Sequence, residues 1–211
     1  MQIHLSPAQC GHAHGYARAA QTLFQQGDDC DHVYELHSGI VRGVTFSEEG
    51  ERQIVGFFFT GDQIGLPLTQ SYRYSAEALI EISYVCQTQD SWRVALVESC
   101  RSDGNMLRMI GAEQNAFYRR SKLLSCRNVL SRTAAFLLSI IDKLPVQNDL
   151  RDFRLPQIDI ANYLAMSPET VCRSLRKLRE LRVIEMPNHE RLAITDSETL
   201  GLIAHNGPAD R

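Results

Sequence analysis

The sequence predicts an α+β protein in three parts: a domain of short strands, a long helix, and a two-helix motif followed by a hairpin. Short runs of alternating apolar and polar residues, separated by Gly-containing turns, occupy the first part of the chain. From about residue 104 the apolar residues recur at three-, four- and seven-residue intervals, which is a helical period. Residues 157–182 contain two helical patterns with a tight turn between them.

The composition is ordinary for a globular chain of 211 residues, enough for one large or two modest domains. The net charge is −3, so the whole chain carries no basic signal for nucleic acid. No apolar run approaches the length of a membrane span and the amino terminus lacks a signal-peptide core, so we expect a cytoplasmic protein without a membrane partner. No Ser-His-Asp set or phosphate-binding Gly loop stands out, which favours binding over catalysis.

The first domain is predicted to be a sandwich or barrel of short strands. Residues 1–20 are polar and are expected to be irregular. Turn signals then recur at steady intervals, for example at Ser38 and Gly39 and again at Glu49 and Gly50. Residues 54–59 are apolar throughout, which predicts a strand covered on both faces.

A long helix of about residues 104–126 is predicted next. Its apolar stripe is broader than one face of the strand domain can cover, so we expect a partner helix across a two-fold axis and therefore a homodimer. The alternative is a helix packed wholly within its own subunit. The residues predicted to face the partner are Met106, Met109, Ile110, Ala116, Phe117, Leu123 and Leu124.

The domain boundary is predicted near Cys126, which gives domains of residues 1–126 and 127–211. A second helix is expected over about residues 127–143, and it ends before Pro145. Residues 145–154 are polar and are expected to be irregular.

Local signals mark the start of the last helix in the two-helix motif. Ser167 is an N-cap candidate because its hydroxyl can accept from an amide of the first turn. Pro168 suits the first helical position, where its missing N–H costs nothing. Glu169 places negative charge near the positive end of the helix dipole. A helix is therefore predicted to begin at Pro168.

The two faces of this helix differ in chemistry. Val171, Leu175 and Leu178 form an apolar face that is expected to pack on the preceding helix. Because residues three and four apart are neighbours on a helix, the polar residues cluster on the opposite face near its N-terminal end. The polar face carries Glu169, Cys172, Arg173, Arg176 and Lys177.

This arrangement predicts a helix that reads double-stranded DNA. A helix-turn-helix protein places the N-terminal end of its second helix in the major groove, where Arg can bond guanine and Glu can accept from cytosine. We predict that Glu169, Cys172 and Arg173 read bases. The residues predicted to hold the DNA backbone are Gln157, Ser167, Thr170, Arg176 and Lys177. The alternative is that these charges form the solvated face of an ordinary amphipathic helix.

The surrounding residues support contact with phosphates. Residues 173–182 hold five Lys or Arg and one acid, and such a local basic stripe suits phosphate contact. Residues 183–196 are predicted to form two strands around Pro187, Asn188 and His189. This hairpin, or wing, would lie where it could reach the DNA backbone.

The stretch IANYLAMSPETVCRSLRKL resembles the helix-turn-helix of the Crp/Fnr superfamily of bacterial transcription regulators, and its Fnr/FixK branch most. Glu169 and Arg173 match that branch, Cys172 stands at its Ser position, and Ala165 replaces the usual Gly of the turn. GERQIVGFFFTGDQIGLP is similar to the β-roll of the same proteins. The resemblance implies an N-terminal β-roll (a cyclic-nucleotide-binding-like jelly roll), a long dimerisation helix and a C-terminal winged helix-turn-helix.

The resemblance also implies a function. A homodimer of the Fnr/FixK type would bind a TTGAT-like palindrome, contact RNA polymerase and activate transcription in the control of low-oxygen respiration or nitrogen fixation. Alternatives that stay open are a sensor carrying an iron–sulfur cluster or haem, and a repressor that responds to a small molecule.

Two ligands known in the family fit the sequence poorly. Members that bind cyclic AMP carry a Glu for the ribose hydroxyls where this chain has Leu66, so we expect no cyclic AMP. Cys86 matches the lone central ligand of the iron–sulfur cluster in Fnr, but only Cys10 remains of the amino-terminal cysteine group. His12, His14 or Cys30 would have to complete such a site.

The interpretation we favour is therefore a regulator with no cofactor. Cys172 would then offer chemical control, because a thiol near a helix start and beside Arg173 can be reactive. Oxidation to a charged acid would set negative charge against DNA phosphates. The alternative is a thiol that simply contacts a base.

Overall fold

A computed structural model describes residues 13–102, 117–126 and 128–206, without the side chains of residues 99–102 and 206. The described residues form two compact units, one ending at Ser102 and the other beginning at Phe117, and residues 53–56 are grouped with the second. No helix among the described residues is both long and apolar enough to cross a membrane.

The first unit is a jelly roll of two four-stranded sheets, which confirms the predicted β-roll. The sheet orders are β1-β8-β3-β6 and β2-β7-β4-β5. The strands are β1 (Ala13–Ala17), β2 (Thr22–Phe24), β3 (His32–Ser38), β4 (Ile40–Phe46), β5 (Arg52–Phe59), β6 (Gln63–Ile64), β7 (Ser75–Ala78) and β8 (Ile82–Thr88).

The core of this unit follows the alternation of its strands. Ile40, Val41 and Val44 of β4 are fully buried, and Phe57 to Phe59 of β5 are buried in succession, as the apolar run predicted. Gly39 makes the tight turn between β3 and β4 with a φ of 91°. A Cβ there would meet the Glu81 carbonyl oxygen at 2.6 Å, so the turn requires glycine.

Two elements of the first unit differ from the sequence prediction. Residues 13–17, expected to be irregular, form the edge strand β1 against β8. Only Ala17 of this strand is buried, so the strand lacks the apolar alternation that would have revealed it. A helix that was not predicted, α1 (Gln89–Ser102), follows β8 and packs through Trp92 against Val33 and Leu66.

The second unit combines helices with a small sheet. Its helices are α2 (described residues 117–124), α3 (Val129–Ile140), α4 (Gln157–Tyr163), α5 (Pro168–Glu180) and α6 (Ser197–Asn206), and a 3-10 turn, Ile141–Lys143, follows α3. The helix expected over residues 127–143 is thus confirmed, whereas α6 was not predicted. Its strands are β9 (Val146–Gln147), β10 (Leu150–Asp152), β11 (Ile184–Asn188) and β12 (Arg191–Ile194).

The expectation that residues 145–154 are irregular was wrong. They form the hairpin β9–β10, whose turn places Asn148 and Asp149 at φ values of 53° and 61°, as a primed hairpin turn requires. The hairpin extends the predicted wing into a four-stranded sheet of order β11-β12-β10-β9. The sheet packs with α3 to α6 around buried residues such as Phe136, Phe153 and Leu192.

The predicted dimer-facing helix is described only in part. Met106, Met109, Ile110 and Ala116 lie outside the described residues. Phe117 and Leu124 are half-buried, whereas Leu123 is already buried within its own unit and keeps the least surface for a partner.

Candidate nucleic-acid interface

Local capping fixes where α5 begins, as predicted. The Ser167 hydroxyl accepts from the Thr170 N–H at 3.2 Å, and Pro168 occupies the first turn. This side-chain cap satisfies one of the amides that a helix start leaves without a backbone partner. The first turn of α5 is therefore held in place by the sequence immediately around it.

The turn between α4 and α5 closes on two backbone bonds. The Met166 N–H donates to the Ala161 carbonyl at 3.0 Å, and the Ala165 N–H donates to the Asn162 carbonyl at 3.2 Å. This pair of bonds is a Schellman motif, which places the residue just past the helix in the left-handed conformation. Ala165 takes that conformation with a φ of 51°, at the position where the resemblance expects Gly.

The α5 helix has the two faces that the sequence predicts. Val171, Leu175 and Leu178 are buried, together with Ser174, and they pack the helix onto the second unit. Five polar side chains of the opposite face are all exposed. They are Glu169, Cys172, Arg173, Arg176 and Lys177, which we call the reading face.

The cations of the reading face make only weak contacts with their neighbours, and DNA could replace these contacts. The Arg173 guanidinium donates to the Thr170 hydroxyl at 3.3 Å, and Arg176 and Lys177 approach Glu180 at 3.9 and 3.8 Å. Exposed pairs of this kind contribute little to stability, so their cations can turn to phosphates at small cost.

The carboxylate of Glu169 is held in its charged form. Its own backbone N–H and the Ser167 hydroxyl keep the pKa of Glu169 below its usual value, and the nearby Arg173 charge adds to this. An ionised carboxylate can only accept hydrogen bonds, so at neutral pH it offers an acceptor for a base amino group such as cytosine N4.

The remaining predicted contact residues lie on α5, on α4 and on the wing. Thr170 is half-buried beside the cap, and Gln157 is half-buried at the start of α4. Asn188 and His189 at the wing tip are exposed.

Sequence reasoning missed the support of the wing, where the Arg191 guanidinium donates to the Gln147 side chain of β9. The Asn148-Asp149 turn signal could have revealed that hairpin.

The interior of the first unit is filled by aromatic rings. Phe24 stacks on Tyr72 with ring centroids 3.9 Å apart, and Phe58 stacks on Tyr74 at 5.5 Å. Tyr34 adds a third tyrosine at 5.6 Å from Phe24. The Tyr72 hydroxyl donates to the His32 carbonyl at 2.8 Å, and burial raises the pKa of Tyr72 far above its usual range.

The same rings cover the turn of residues 61–67, where the resemblance would place a cyclic nucleotide. A Cβ on Gly65 would meet the Tyr72 ring at 2.9 Å. The Gly65 N–H donates to the Tyr74 hydroxyl at 3.4 Å, and the Cys30 thiol donates to the Gly65 carbonyl at 3.4 Å. The side chain of Leu66 is apolar and buried, so it offers no hydrogen-bonding group at this turn.

Only some of the candidate iron–sulfur ligands lie among the described residues. Cys10 and His12 lie outside the described residues, whereas Cys30 and Cys86 are buried and His14 is exposed. Within the described part of the chain, no three His, Cys, Asp or Glu side chains are arranged to hold a metal ion.

Comparison with known protein families agrees with both units. A model of the Crp-like helix-turn-helix domain matches residues 131–203, and a model of the cyclic nucleotide-binding domain matches residues 16–97. The chain is similar to the Anaerobic regulatory protein of Haemophilus influenzae, with 31% identity over 193 residues that cover 89% of this chain and 74% of that protein. It is also similar to the Fumarate and nitrate reduction regulatory protein of Escherichia coli, with 29% identity over 192 residues, 87% of this chain and 75% of that one.

Solved structures show the same fold. The structure of FixK2 from Bradyrhizobium japonicum superposes with a TM-score of 0.83 at 24% identity, and the match covers 94% of this chain and 99% of that chain.

Proposed function

The chain belongs to the Crp/Fnr family of transcription regulators, with Fnr-type relatives and a helix-turn-helix DNA-binding domain, and on that premise we propose that it binds a TTGAT-like palindrome as a homodimer and activates transcription. The observation that carries the proposal is the reading face, which combines an acceptor, a thiol and a guanidinium at the exposed start of α5. The mechanism is binding, not catalysis.

Each residue of the interface has a proposed role. Glu169, Cys172 and Arg173 contact base edges, because the N-terminal turns of a reading helix lie deepest in the major groove. Contacts to phosphate or sugar set register and orientation without reading sequence. The residues proposed for those contacts are Gln157, Ser167, Thr170, Arg176 and Lys177.

The test is DNA binding by the full chain. The dissociation constant is measured for a TTGAT palindrome, for the same duplex with both half-sites scrambled, and for a single half-site. We expect the palindrome to bind about a thousandfold more tightly than the scrambled duplex, as specific binding typically does. Equal affinity for all three duplexes would contradict the proposal.

Activation is tested by transcription from a promoter that carries the palindrome, with purified RNA polymerase. We expect added protein to raise transcript yield, as it would if the DNA-bound dimer contacts the polymerase. A fall in yield with intact DNA binding would instead identify a repressor.

We further propose that the protein works without a cyclic nucleotide or cofactor. The packing of Tyr72, Tyr74 and Cys30 around Gly65 supports this, because the N–H and the carbonyl of Gly65 already form hydrogen bonds within the chain. Adding cyclic AMP should leave the affinity for the palindrome unchanged. Iron, sulfide and absorbance analysis of protein purified without oxygen should show neither cluster nor haem, and stoichiometric iron or a haem spectrum would overturn this part.

Cys172 provides a proposed chemical control of DNA binding. It is exposed on the reading face, one residue from Arg173, so its oxidation would place negative charge against the DNA. Hydrogen peroxide should weaken binding by the parent but not by Cys172→Ser. The matched control is Cys126→Ser, which leaves Cys172 in place and should remain sensitive. Equal sensitivity of Cys172→Ser and the parent would rule out this thiol.

A further inference from the structure

Two arginines from outside the two-helix motif occupy the end of α4. The Arg120 Nε–H of α2 donates to the Tyr163 carbonyl at 3.0 Å, and an Arg132 terminal N–H of α3 donates to the Leu164 carbonyl at 2.9 Å. The Schellman bonds described above use the carbonyls of Ala161 and Asn162. The arginines therefore take the two last carbonyls, at the negative end of the helix dipole.

The Arg132 side chain also reaches the end of α2. Its other terminal nitrogen lies 3.4 Å from the Leu124 carbonyl and 3.4 Å from the Cys126 carbonyl. A single guanidinium thus joins the last turn of α4 to the last turn of α2. Both helix ends present carbonyls, so one cation satisfies groups that would otherwise repel each other.

The Arg120 side chain strengthens the same junction. Its guanidinium lies over the Tyr163 ring at 5.8 Å from the ring centroid while it donates to the carbonyl of the same residue. Tyr163 is buried against Phe136 of α3, with ring centroids 5.8 Å apart. The end of α4 is therefore tied to both α2 and α3.

We propose that Arg120 and Arg132 are positioning residues that fix the reading helix relative to the dimerisation helix, and that they thereby set the half-site spacing the dimer accepts. This inference rests on the proposed function. Because α5 packs on α4, a small rotation at the α2–α4 junction moves the reading face by a larger distance. Two reading faces must lie about one DNA turn apart to fill successive major grooves, so a rigid junction selects that spacing.

The chemistry at the junction requires arginine. A guanidinium presents five donors in a planar fork, whereas a lysine ammonium is a compact charge on a flexible stem. Lysine at position 132 can keep the charge, but it cannot reach the carbonyls of Leu164, Leu124 and Cys126 with the same fixed geometry. Arg132→Lys is therefore expected to loosen the junction while the second unit remains folded.

The experiment separates the effect of half-site spacing on DNA affinity from the effect of base sequence. Dissociation constants of the full chain, Arg132→Lys and Arg120→Lys are measured on the palindrome, on palindromes with one base pair inserted or removed between half-sites, and on a palindrome with one base changed in each half-site. Arg93→Lys on α1, an exposed arginine of the first unit, is the matched control. Circular dichroism and thermal unfolding check that each variant is folded.

We expect Arg132→Lys to bind the correctly spaced palindrome about tenfold more weakly, the size of a lost charge-assisted bond. The factor by which altered spacing raises the dissociation constant, the spacing penalty, should be smaller than in the parent. The factor by which the changed base raises it, the base penalty, should stay as in the parent. Arg120→Lys should act in the same direction with a smaller effect, and it carries the test if Arg132→Lys fails to fold. Arg93→Lys should match the parent.

Two outcomes would overturn the inference. If the spacing penalty of a folded variant equals that of the parent, the arginines do not set spacing. If the spacing and base penalties fall together, they serve only the general stability of the unit. A parent that shows no preference for the palindrome at all would overturn the proposed function itself, and that result is read from the parent alone.

Discussion

The interior of the first unit and the reading face of α5 treat their polar groups in opposite ways. In the first unit the Tyr72 and Tyr74 hydroxyls bond the backbone at His32 and Gly65, inside a packed cluster of rings. On α5 the charged groups are exposed and held by contacts of 3.3 to 3.9 Å. Exposed donors held by weak contacts stay available to a partner, whereas the hydroxyls of the ring cluster are already bonded within the chain.

The comparison predicts that changes in the two regions separate stability from binding. Variants in the ring cluster should lower the free energy of unfolding and leave base discrimination intact. Variants on the reading face should weaken base discrimination and leave the free energy of unfolding unchanged. The single tryptophan, Trp92, lies buried in the first unit, so its fluorescence reports that unit, and helical circular dichroism follows both.

The largest effect is expected for Phe58→Ala. This ring is 1% exposed and stacked on Tyr74, and truncating such a side chain costs about 3–5 kcal/mol through lost burial and the cavity left behind. Denaturant unfolding followed by Trp92 fluorescence measures the change. Phe58→Leu keeps most of the volume and should cost less than about 1.5 kcal/mol. Equal losses for both variants would argue against a tightly packed interior.

On the reading face, Arg173→Ala should lower binding to the palindrome by about 1–3 kcal/mol and relax sequence choice, with unfolding unchanged. Lys177→Ala should instead weaken binding to every duplex alike and reduce its salt dependence. Arg18→Ala, which removes the same charge from an exposed position of the first unit, should change neither. Equal losses for Arg173→Ala on the palindrome and on scrambled DNA would refute base reading.

A buried phenol makes the stability of the second unit depend on pH. Burial raises the pKa of Tyr163 to about 12, whereas the unfolded side chain keeps the usual value of 10.0. Above pH 10 the phenol of the unfolded state loses its proton before that of the folded state does. The contribution of Tyr163 to the free energy of unfolding is therefore fully present below pH 10 and declines as pH rises towards 12. The slope from this group is at most about 1.4 kcal/mol per pH unit.

Tyr163→Phe should reduce the pH dependence of unfolding followed by circular dichroism between pH 9 and 11, about the usual phenol pKa, and leave unfolding followed by Trp92 fluorescence, which reports the first unit, unchanged. Tyr118→Phe is the control, because Tyr118 is 69% exposed. A Tyr163→Phe variant with the parent's pH profile would show that Tyr163 does not cause the decline.

The sequence predicted the elements whose signals are local. The Ser167 cap, Pro168 and the apolar period of Val171 and Leu175 lie within a few residues, and the structure confirms α5 from its first turn. Whether its exposed residues touch DNA stays a prediction, because exposure shows only that they are available.

Elements stabilised by distant partners escaped sequence reasoning. The hairpin β9–β10 has strands of two and three residues and exists by pairing with β12, some forty residues later. Helix α1 exposes Val94 and Val97, so its apolar residues do not fall on one buried face. The bonds of Arg120 and Arg132 span 43 and 32 residues, and no local pattern announces them.

The smallest predicted effect concerns Ala165, where the turn that presents the reading face carries strain. A φ of 51° places its Cβ against the following carbonyl, a conformation that glycine adopts freely. Ala165→Gly should therefore raise the free energy of unfolding of the second unit by about 0.5–1 kcal/mol, although the glycine adds freedom to the unfolded chain. Ala161→Gly, within α4, should lower it by at least about 1 kcal/mol, because a buried methyl group is lost in addition to helix propensity. Two losses of equal size would show that the left-handed conformation of Ala165 costs no stability.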